Sequence, residues 1–502
     1  MPLVNNPATS AALQPLPLPP HAWASLDLAA RRADAAAAVF RHSSVADRCR
    51  LLELISFHID AAREAVAASA RAELNVDLPT ISMEHEGVLQ QLRAVGAVLR
   101  RSHWLGAAIE TAPPEQRVQN IALGPVAVLG TGHACAAPVY SAAAADVIAA
   151  LAAGCPVVVR GSATHPHTCE LLGGAIAAAV QAAGLPEGVY GLVAGHAGSA
   201  AALVTHPDIK AATYAGLRQE GMELMRRSLD RSEPVPVLLD IASSNPVFIL
   251  PHALNARAEH LGQQLLKQFS PCTAHSMFKP GIVVAIEGDG YIDLRETIID
   301  GVLAMPPVAL PCAGAQHGHA QSVARLLRER TVDLLAESGA ADAGEVAGGV
   351  ANRVDKAAAE GRINETRAVF VEAEASSLLT TPTLAEQHPG PSALLLRCAC
   401  PEELLAVAAL LGRQLVAGMQ MADGDTALAA RLMPQLERMA RHVNVNSFTS
   451  MPIYNGATAA QAIARFLRPV FYLDVPSSLL PAALQDGNPL QLWRQVDGEM
   501  RH

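Results

Sequence analysis

The chain has 502 residues, 51% of them hydrophobic and 17% charged, a balance that suits large buried cores and excludes a mostly disordered chain. Its formal net charge is -10 and no basic run stands out, which argues against a nucleic-acid partner and for a small metabolite. At this length two or three packed domains are expected, assembled as an oligomer.

Residues 1 to 20 lack a positive segment ahead of an apolar core, and their Pro-Leu-Pro-Leu-Pro-Pro run suits an extended arm rather than a secretion signal. From 22 to 102 apolar residues recur at spacings of three and four, which predicts several helices before any strand. The stretch from Thr111 to Glu115 breaks this pattern, and Arg117 to Leu123 alternates as an edge or hairpin strand would. Strands and helices then take turns. Val126 to Leu129 reads as a buried strand, 141 to 153 as an Ala-rich helix, and Pro156 to Arg160 as the next strand. A helix over Cys169 to Ala183, a strand over Val189 to Ala194 and a further strand near Tyr214 continue the series. Such alternation predicts an α/β fold with a parallel, doubly wound sheet, whose ligand crevice lies beyond the carboxyl ends of the strands. No GxGxxG opens it.

A second α/β unit is expected from about 240 to 440, with strands at Val283 to Glu287 and Ala393 to Arg397. Between them Ala343 to Glu360 is small and polar, as a surface stretch would be. The tail from Phe466 is apolar and punctuated by proline, which suits packing against a neighbour. The longest small-apolar run, Ala134 to Gly154, contains Asp146 and reads as a buried helix, so no membrane span is expected. The eight cysteines (49, 135, 155, 169, 272, 312, 398 and 400) form no paired framework, which points to a reduced, cytoplasmic compartment. Cys398 and Cys400 read as alternating strand positions rather than metal ligands, and His165 and His167 as loop residues; no metal is expected. HExxH, Gly-x-Ser-x-Gly and Gly-Lys-Ser/Thr signatures are all absent.

Five runs carry a likeness: Leu123 to Gly130, Ala152 to Arg160, Gly184 to Tyr190, Ser243 to Phe248 and Arg465 to Val470. Together they resemble the aldehyde dehydrogenase superfamily over roughly residues 25 to 500. They are most similar to the branch that oxidises 2-oxoglutarate semialdehyde, usually with NADP. The resemblance implies an aldehyde dehydrogenase-like fold with five parts. These are a helical N-terminal part of the cofactor domain (1–110), an oligomerisation strand region (111–122), a Rossmann-like cofactor domain (123–240), a catalytic-type α/β domain (241–440) and a C-terminal oligomerisation tail (441–502). In that family a cysteine thiolate attacks the aldehyde, a hydride leaves for the nicotinamide, and a glutamate activates the water that hydrolyses the thioester.

The matching positions hold altered side chains. Counting without gaps from Asn245 and back from Pro280 places the nucleophile at Met277, whose thioether has no proton to lose; the rival is Cys272, which requires five extra residues before Lys279. The base glutamate falls at Asp240, one methylene shorter, and His133 stands near the oxyanion asparagine. Arg160 replaces the lysine that holds the adenosine ribose, Gly216-Leu217 replaces the Gly-Ser beside the pyrophosphate, and Gln387 heads the altered Glu-x-Phe-Gly-Pro signature. These changes imply a catalytically impaired or inactive member, a structural or regulatory subunit in which NADP or NAD binding is weak or lost. The alternative is NAD(P)-dependent oxidation of a small oxo-acid semialdehyde through Cys272. A homo-oligomer, with or without an active paralogue, and a small aldehyde or oxo-acid ligand are the expected partners.

Overall fold

The computed structural model describes residues 18–74, 76–101, 103–131, 138–269, 276–310, 313–339, 365–448 and 456–502. Four helices, α1 (Pro20–Arg41), α2 (Val45–Ala61), α3 (Arg63–Leu74) and α4 (Leu78–Arg101), occupy the stretch of three-four spacing. The start of α2 is fixed by a reciprocal cap: Ser44 Oγ accepts from the Asp47 amide at 3.1 Å, and the Asp47 carboxylate accepts from the Ser44 amide at 3.0 Å. Strands β1 (Ala108–Glu110) and β2 (Gln116–Ala122) then form an antiparallel pair.

The doubly wound unit follows in the expected order. It comprises β3 (Val126–Thr131), α5 (Ala145–Ala153), β4 (Val157–Arg160), α6 (Pro166–Ala182), β5 (Tyr190–Val193), α7 (Ser199–Thr205), β6 (Ala211–Gly216), α8 (Arg218–Leu229) and β7 (Val237–Ile241). All five strands are parallel in the order β5-β4-β3-β6-β7, so the winding reverses between β3 and β6. Side-chain alternation explains why β3 is apolar throughout. Val126 and Val128 pack with α2, α4, α5 and α6, whereas Ala127 and Leu129 face α1, α7 and α8.

Small residues let α5 lie deep, with every position from Val147 to Ala153 buried. Its C-terminus is closed by Gly154 at φ 91° and by Arg48 of α2, whose Nη1 donates to the carbonyls of Ala152 and Ala153 at 3.3 and 3.0 Å. Arg48 also donates to the Arg41 carbonyl at 2.8 Å and stacks on Phe40 and Trp104, which ties α1, α2 and α5 together. A side chain at Gly154 would strike that guanidinium, because a Cβ there would lie 2.7 Å from its carbon.

A second sheet is built from β8 (Val247–Ile249), β9 (Ile282–Ile286), β11 (Val332–Glu337), β13 (Val369–Glu374), β14 (Ser392–Cys398), β15 (Gln414–Gln420) and β16 (Ala440–Val445). Its order is β11-β13-β14-β9-β8-β15-β16, parallel except for β11 against β13. Helices α9 (Pro251–Lys267) and α10 (Asp289–Leu303) cover one face, and a short antiparallel pair, β10 (Val308–Ala309) with β12 (Glu365–Thr366), lies beside it. Cys398 ends β14, while Cys400 is already the N-cap residue of the helix Pro401–Leu410, so the expected strand alternation stops two residues before Cys400.

The third sheet joins distant parts of the chain in the order β17-β2-β1-β18-β19, with β17 (Leu467–Leu473), β18 (Arg494–Val496) and β19 (Glu499–Arg501). The run from Arg117 is therefore not an edge. It is an inner strand of the sheet, hairpinned to β1 and covered on its other side by β17. Ala343 to Glu360 lies outside the described residues, and among those described no helix is long and apolar enough to cross a membrane.

Candidate functional site

The carboxyl ends of β3 and β6, where the winding reverses, define the crevice of the doubly wound sheet. Gly216 ends β6 at φ 151°, and its carbonyl accepts from the Ala242 amide at 2.7 Å, which lays the chain leaving β7 along this rim. Leu217 is the N-cap residue of α8 and offers no side-chain hydrogen bond. The amides of Arg218, Gln219 and Glu220 therefore have no acceptor among the described residues, while the Gly221 amide is taken by the Leu217 carbonyl at 3.1 Å. The Glu220 carboxylate accepts from the Tyr214 hydroxyl at 2.6 Å.

Arg160 closes β4, and its side chain turns into the protein. Its Nε donates to Ser199 Oγ at 2.9 Å, and its Nη atoms donate to the carbonyls of Leu129 at 3.3 Å and Gly195 at 3.5 Å. Burial lowers its pKa from the usual arginine range. His165, read from sequence as a loop residue, is the N-cap residue of α6; it is buried, and burial pushes its pKa down to about 4. Its Nε2 and the Ser141 hydroxyl are 3.0 Å apart.

Asp240 lies on β7 opposite Ala215 of β6. Both of its carboxylate oxygens are engaged: Oδ1 accepts from Arg441 Nη1 at 2.8 Å, and Oδ2 from Arg465 Nη1 at 3.2 Å. The same Arg465 nitrogen donates to Asp146 of α5 at 3.3 Å. Burial raises the Asp146 pKa, opposed by Arg465 and reinforced by the neighbouring Asp240 charge. Two arginines thus join the first sheet, the second sheet and the chain leading to β17.

Asn245 holds the next part of the site. It adopts φ 44°, a left-handed conformation that asparagine tolerates better than most side chains. Its Nδ2 donates to the carbonyls of Met277 at 2.8 Å and Lys279 at 3.0 Å, and its Oδ1 accepts from Ser243 Oγ at 2.8 Å and the Val416 amide at 3.2 Å. The Ser244 carbonyl accepts from the amides of Gly281 at 2.7 Å and Ile282 at 3.2 Å. Asp240 and Met277 are therefore on segments stitched side by side. Met277 is half-buried, held through its backbone carbonyl.

Lys279 extends this link to the loop that carries Gln387. Lys279 Nζ donates to the carbonyls of His388 at 3.0 Å and Ser392 at 2.8 Å, while Gln387 itself is half-buried. Asp240, Met277 and Gln387 thus fall on one connected frame, and Gly216 lies beside it, paired with Ile241 and bonded to the Ala242 amide. Arg160 is withdrawn from it. His133 and Cys272 lie outside the described residues. Sequence reading missed the roles of Asp146, Arg441, Arg465, Asn245 and Lys279. Asn245 and Lys279 sat inside runs used for counting, but nothing local marks Arg441 or Arg465 as partners of Asp240. Among the described residues no three His, Cys, Asp or Glu side chains converge as a metal ion would require.

Comparison with known proteins accords with this architecture. Residues 3–268 match the family model described as the aldehyde dehydrogenase family. The chain is 33% identical to an alpha-ketoglutaric semialdehyde dehydrogenase 2 of Azospirillum brasilense, across 95% of this chain and 92% of the relative. It is 30% identical to an alpha-ketoglutaric semialdehyde dehydrogenase of Acinetobacter baylyi, across 94% and 91%. In fold it is similar to a NAD-dependent benzaldehyde dehydrogenase from Corynebacterium glutamicum, with a TM-score of 0.70, 18% identity and 90% of each chain covered. It is also similar to the glyceraldehyde-3-phosphate dehydrogenase GapN of Methanocaldococcus jannaschii complexed with NADP, at TM-score 0.69 and 15% identity, covering 91% of this chain and 95% of the other. With its doubly wound sheet, its second α/β sheet and near full-length likeness to two semialdehyde dehydrogenases, the chain belongs to the aldehyde dehydrogenase family.

Proposed function

We propose that the protein oxidises a small oxo-acid semialdehyde to the carboxylic acid with NAD or NADP, using Cys272 as nucleophile and Asp240 as the group that activates water. The observation that carries this reading is likeness to alpha-ketoglutaric semialdehyde dehydrogenases over more than nine-tenths of the chain. In the reaction the Cys272 thiolate adds to the aldehyde carbon, giving a thiohemiacetal. A dinucleotide held at the first turn of α8 beside Gly216 would supply the two-electron oxidant, accepting the former aldehyde hydrogen as hydride. The resulting thioester is hydrolysed by a water that gives one proton to Asp240 as its hydroxyl adds to the acyl carbon; the C–S bond breaks, which releases the carboxylic acid and regenerates the Cys272 thiolate.

The residues present fit the dinucleotide in part. The three amides of the first turn of α8 that have no acceptor among the described residues, beside Gly216, suit a pyrophosphate. The adenosine end is different, because the Arg160 guanidinium is spent on protein acceptors and does not reach outward for a 2'-phosphate. Incubating the purified protein with each dinucleotide and 2-oxoglutarate semialdehyde tests the proposal. Reduced cofactor should accumulate, and complete absence of it with both dinucleotides would refute the reading.

A second reading, of a catalytically impaired body acting as a subunit, is favoured by the Asp240 pairings. Arg441 and Arg465 occupy both carboxylate oxygens, so a water must displace one of these contacts to reach Asp240. If Asp240 is the base and Arg441 restrains it, Arg441→Ala should raise the steady-state rate at neutral pH by up to about tenfold. An unchanged or lower rate would remove Asp240 from the base role.

The third sheet is proposed to join copies of this chain in a homo-oligomer. Its edge strand β17 exposes Phe471 and Leu473, 62% and 59% accessible in the single chain. Sedimentation should show a dimer or larger species that Phe471→Glu shifts to monomer; a monomeric wild type would contradict this.

A further inference from the structure

Next to the frame that links Met277 to Gln387, three buried bases, Lys279, His319 and His388, lie without an ion-paired acid among the described residues. Lys279 is 4% exposed, and among the described residues its amine meets the carbonyls of His388 and Ser392 and the face of Phe269, 4.9 Å away. No carboxylate pairs with it among the described residues. His319 of α11 (Ala313–Leu326) is 2% exposed, with Nδ1 2.9 Å from the Pro389 carbonyl and Nε2 3.2 Å from the Arg367 carbonyl. A neutral imidazole carries one N–H and serves only one of those carbonyls at a time. His388 is 2% exposed and neither ring nitrogen has a partner in hydrogen-bond geometry, although the Leu384 backbone lies beside it. The nearby acids are otherwise engaged: Glu386 pairs with Arg325, and Glu337 with Arg367 at 3.5 Å.

We infer that Lys279 is a positioning residue. With His319 it suspends the 387–390 loop from main-chain carbonyls, and protonation of Lys279, to which no described residue offers a counter-charge, loosens that loop. The inference rests on the proposed function only in taking this loop, which aligns with the Glu-x-Phe-Gly-Pro signature, as a wall of the site. An uncharged amine has two N–H groups for its two carbonyl acceptors. An ammonium adds a charge that burial disfavours and that only the ring face of Phe269 offsets.

Burial pushes the Lys279 pKa down to about 7 in the closed state, from the usual 10.5. Once the loop opens and the amine is hydrated, the usual value returns. The open state therefore holds more protons between those limits, and falling pH favours opening from about 10 down to about 7, with no further gain below. Burial holds His319 near 4 and His388 near 3, so neither imidazole titrates in that window.

The exposed Glu386 borders the loop, and because an endopeptidase needs a locally unfolded stretch on both sides of the bond it cuts, cleavage after Glu386 by a glutamyl endopeptidase reports loop opening independently of activity. The cleavage rate of the full-length protein is normalised to that of a free peptide of the same sequence at each pH. As pH falls from about 9 to about 7, the normalised rate in wild type should rise by up to roughly tenfold per pH unit. In Lys279→Met and in Lys279→Gln, which retains two N–H donors and no charge, the profile should be flat. A flat wild-type profile, or variants that follow the wild-type slope, would overturn the inference. Because no turnover is read, failure of the proposed oxidation leaves this test intact.

Discussion

Cys272→Ala is expected to abolish reduced-cofactor formation, with a loss on the order of 10⁶ in turnover, while the protein stays folded by circular dichroism. The size follows from the chemistry. Without a thiolate there is no thiohemiacetal, and direct hydride loss from a hydrated aldehyde lacks the covalent step that divides the barrier. Met277→Ala should change the rate by less than about tenfold, because the structure holds Met277 through its backbone carbonyl, which the substitution retains. A rate that survives Cys272→Ala and vanishes in Met277→Ala would assign the reaction to neither sulfur as described.

Asn245→Ala should be the most damaging substitution within the described frame. One side chain donates to the carbonyls of Met277 and Lys279 and accepts from Ser243 Oγ and the Val416 amide, at φ 44° where alanine is strained. Loss of these buried bonds leaves several polar groups unpaired, each costing about 1–3 kcal/mol when desolvated. The expected destabilisation is at least about 3 kcal/mol, read as a lowered urea midpoint, with activity falling further than stability because the 277–281 segment loses its anchor. A variant with the wild-type midpoint would show that the frame is held by other contacts.

The fold was legible because its signals are repetitive. The alternation of buried runs with Ala-rich helices from Val126 to Tyr214 became β3 to β6, and the three-four spacing before it became α1 to α4. What escaped reading depends on distant partners. The alternation at Arg117 marks a strand but not its neighbour, and β17 lies some 350 residues away in sequence, so an inner strand resembled an edge. The site was legible as a set of positions, not as contacts. Asp240 was found by counting, yet its two guanidinium partners come from Arg441 and Arg465, which no local pattern ties to it. Arg160 kept its charge in the sequence and lost its outward reach in the fold, since Ser199 and two carbonyls take its donors. The family model stops at residue 268, just short of the segment in which Cys272 and Met277 compete for the nucleophile role.

Identity of the nucleophilic atom is tested most directly by trapping it. The protein is mixed with NADP and 2-oxoglutarate semialdehyde, quenched in acid during turnover, and the peptide that spans both sulfurs is sequenced by fragmentation mass spectrometry. An acyl group on the Cys272 sulfur, accompanied by reduced cofactor, is the expected result. An unmodified Cys272 in protein that is nonetheless reducing NADP would contradict it.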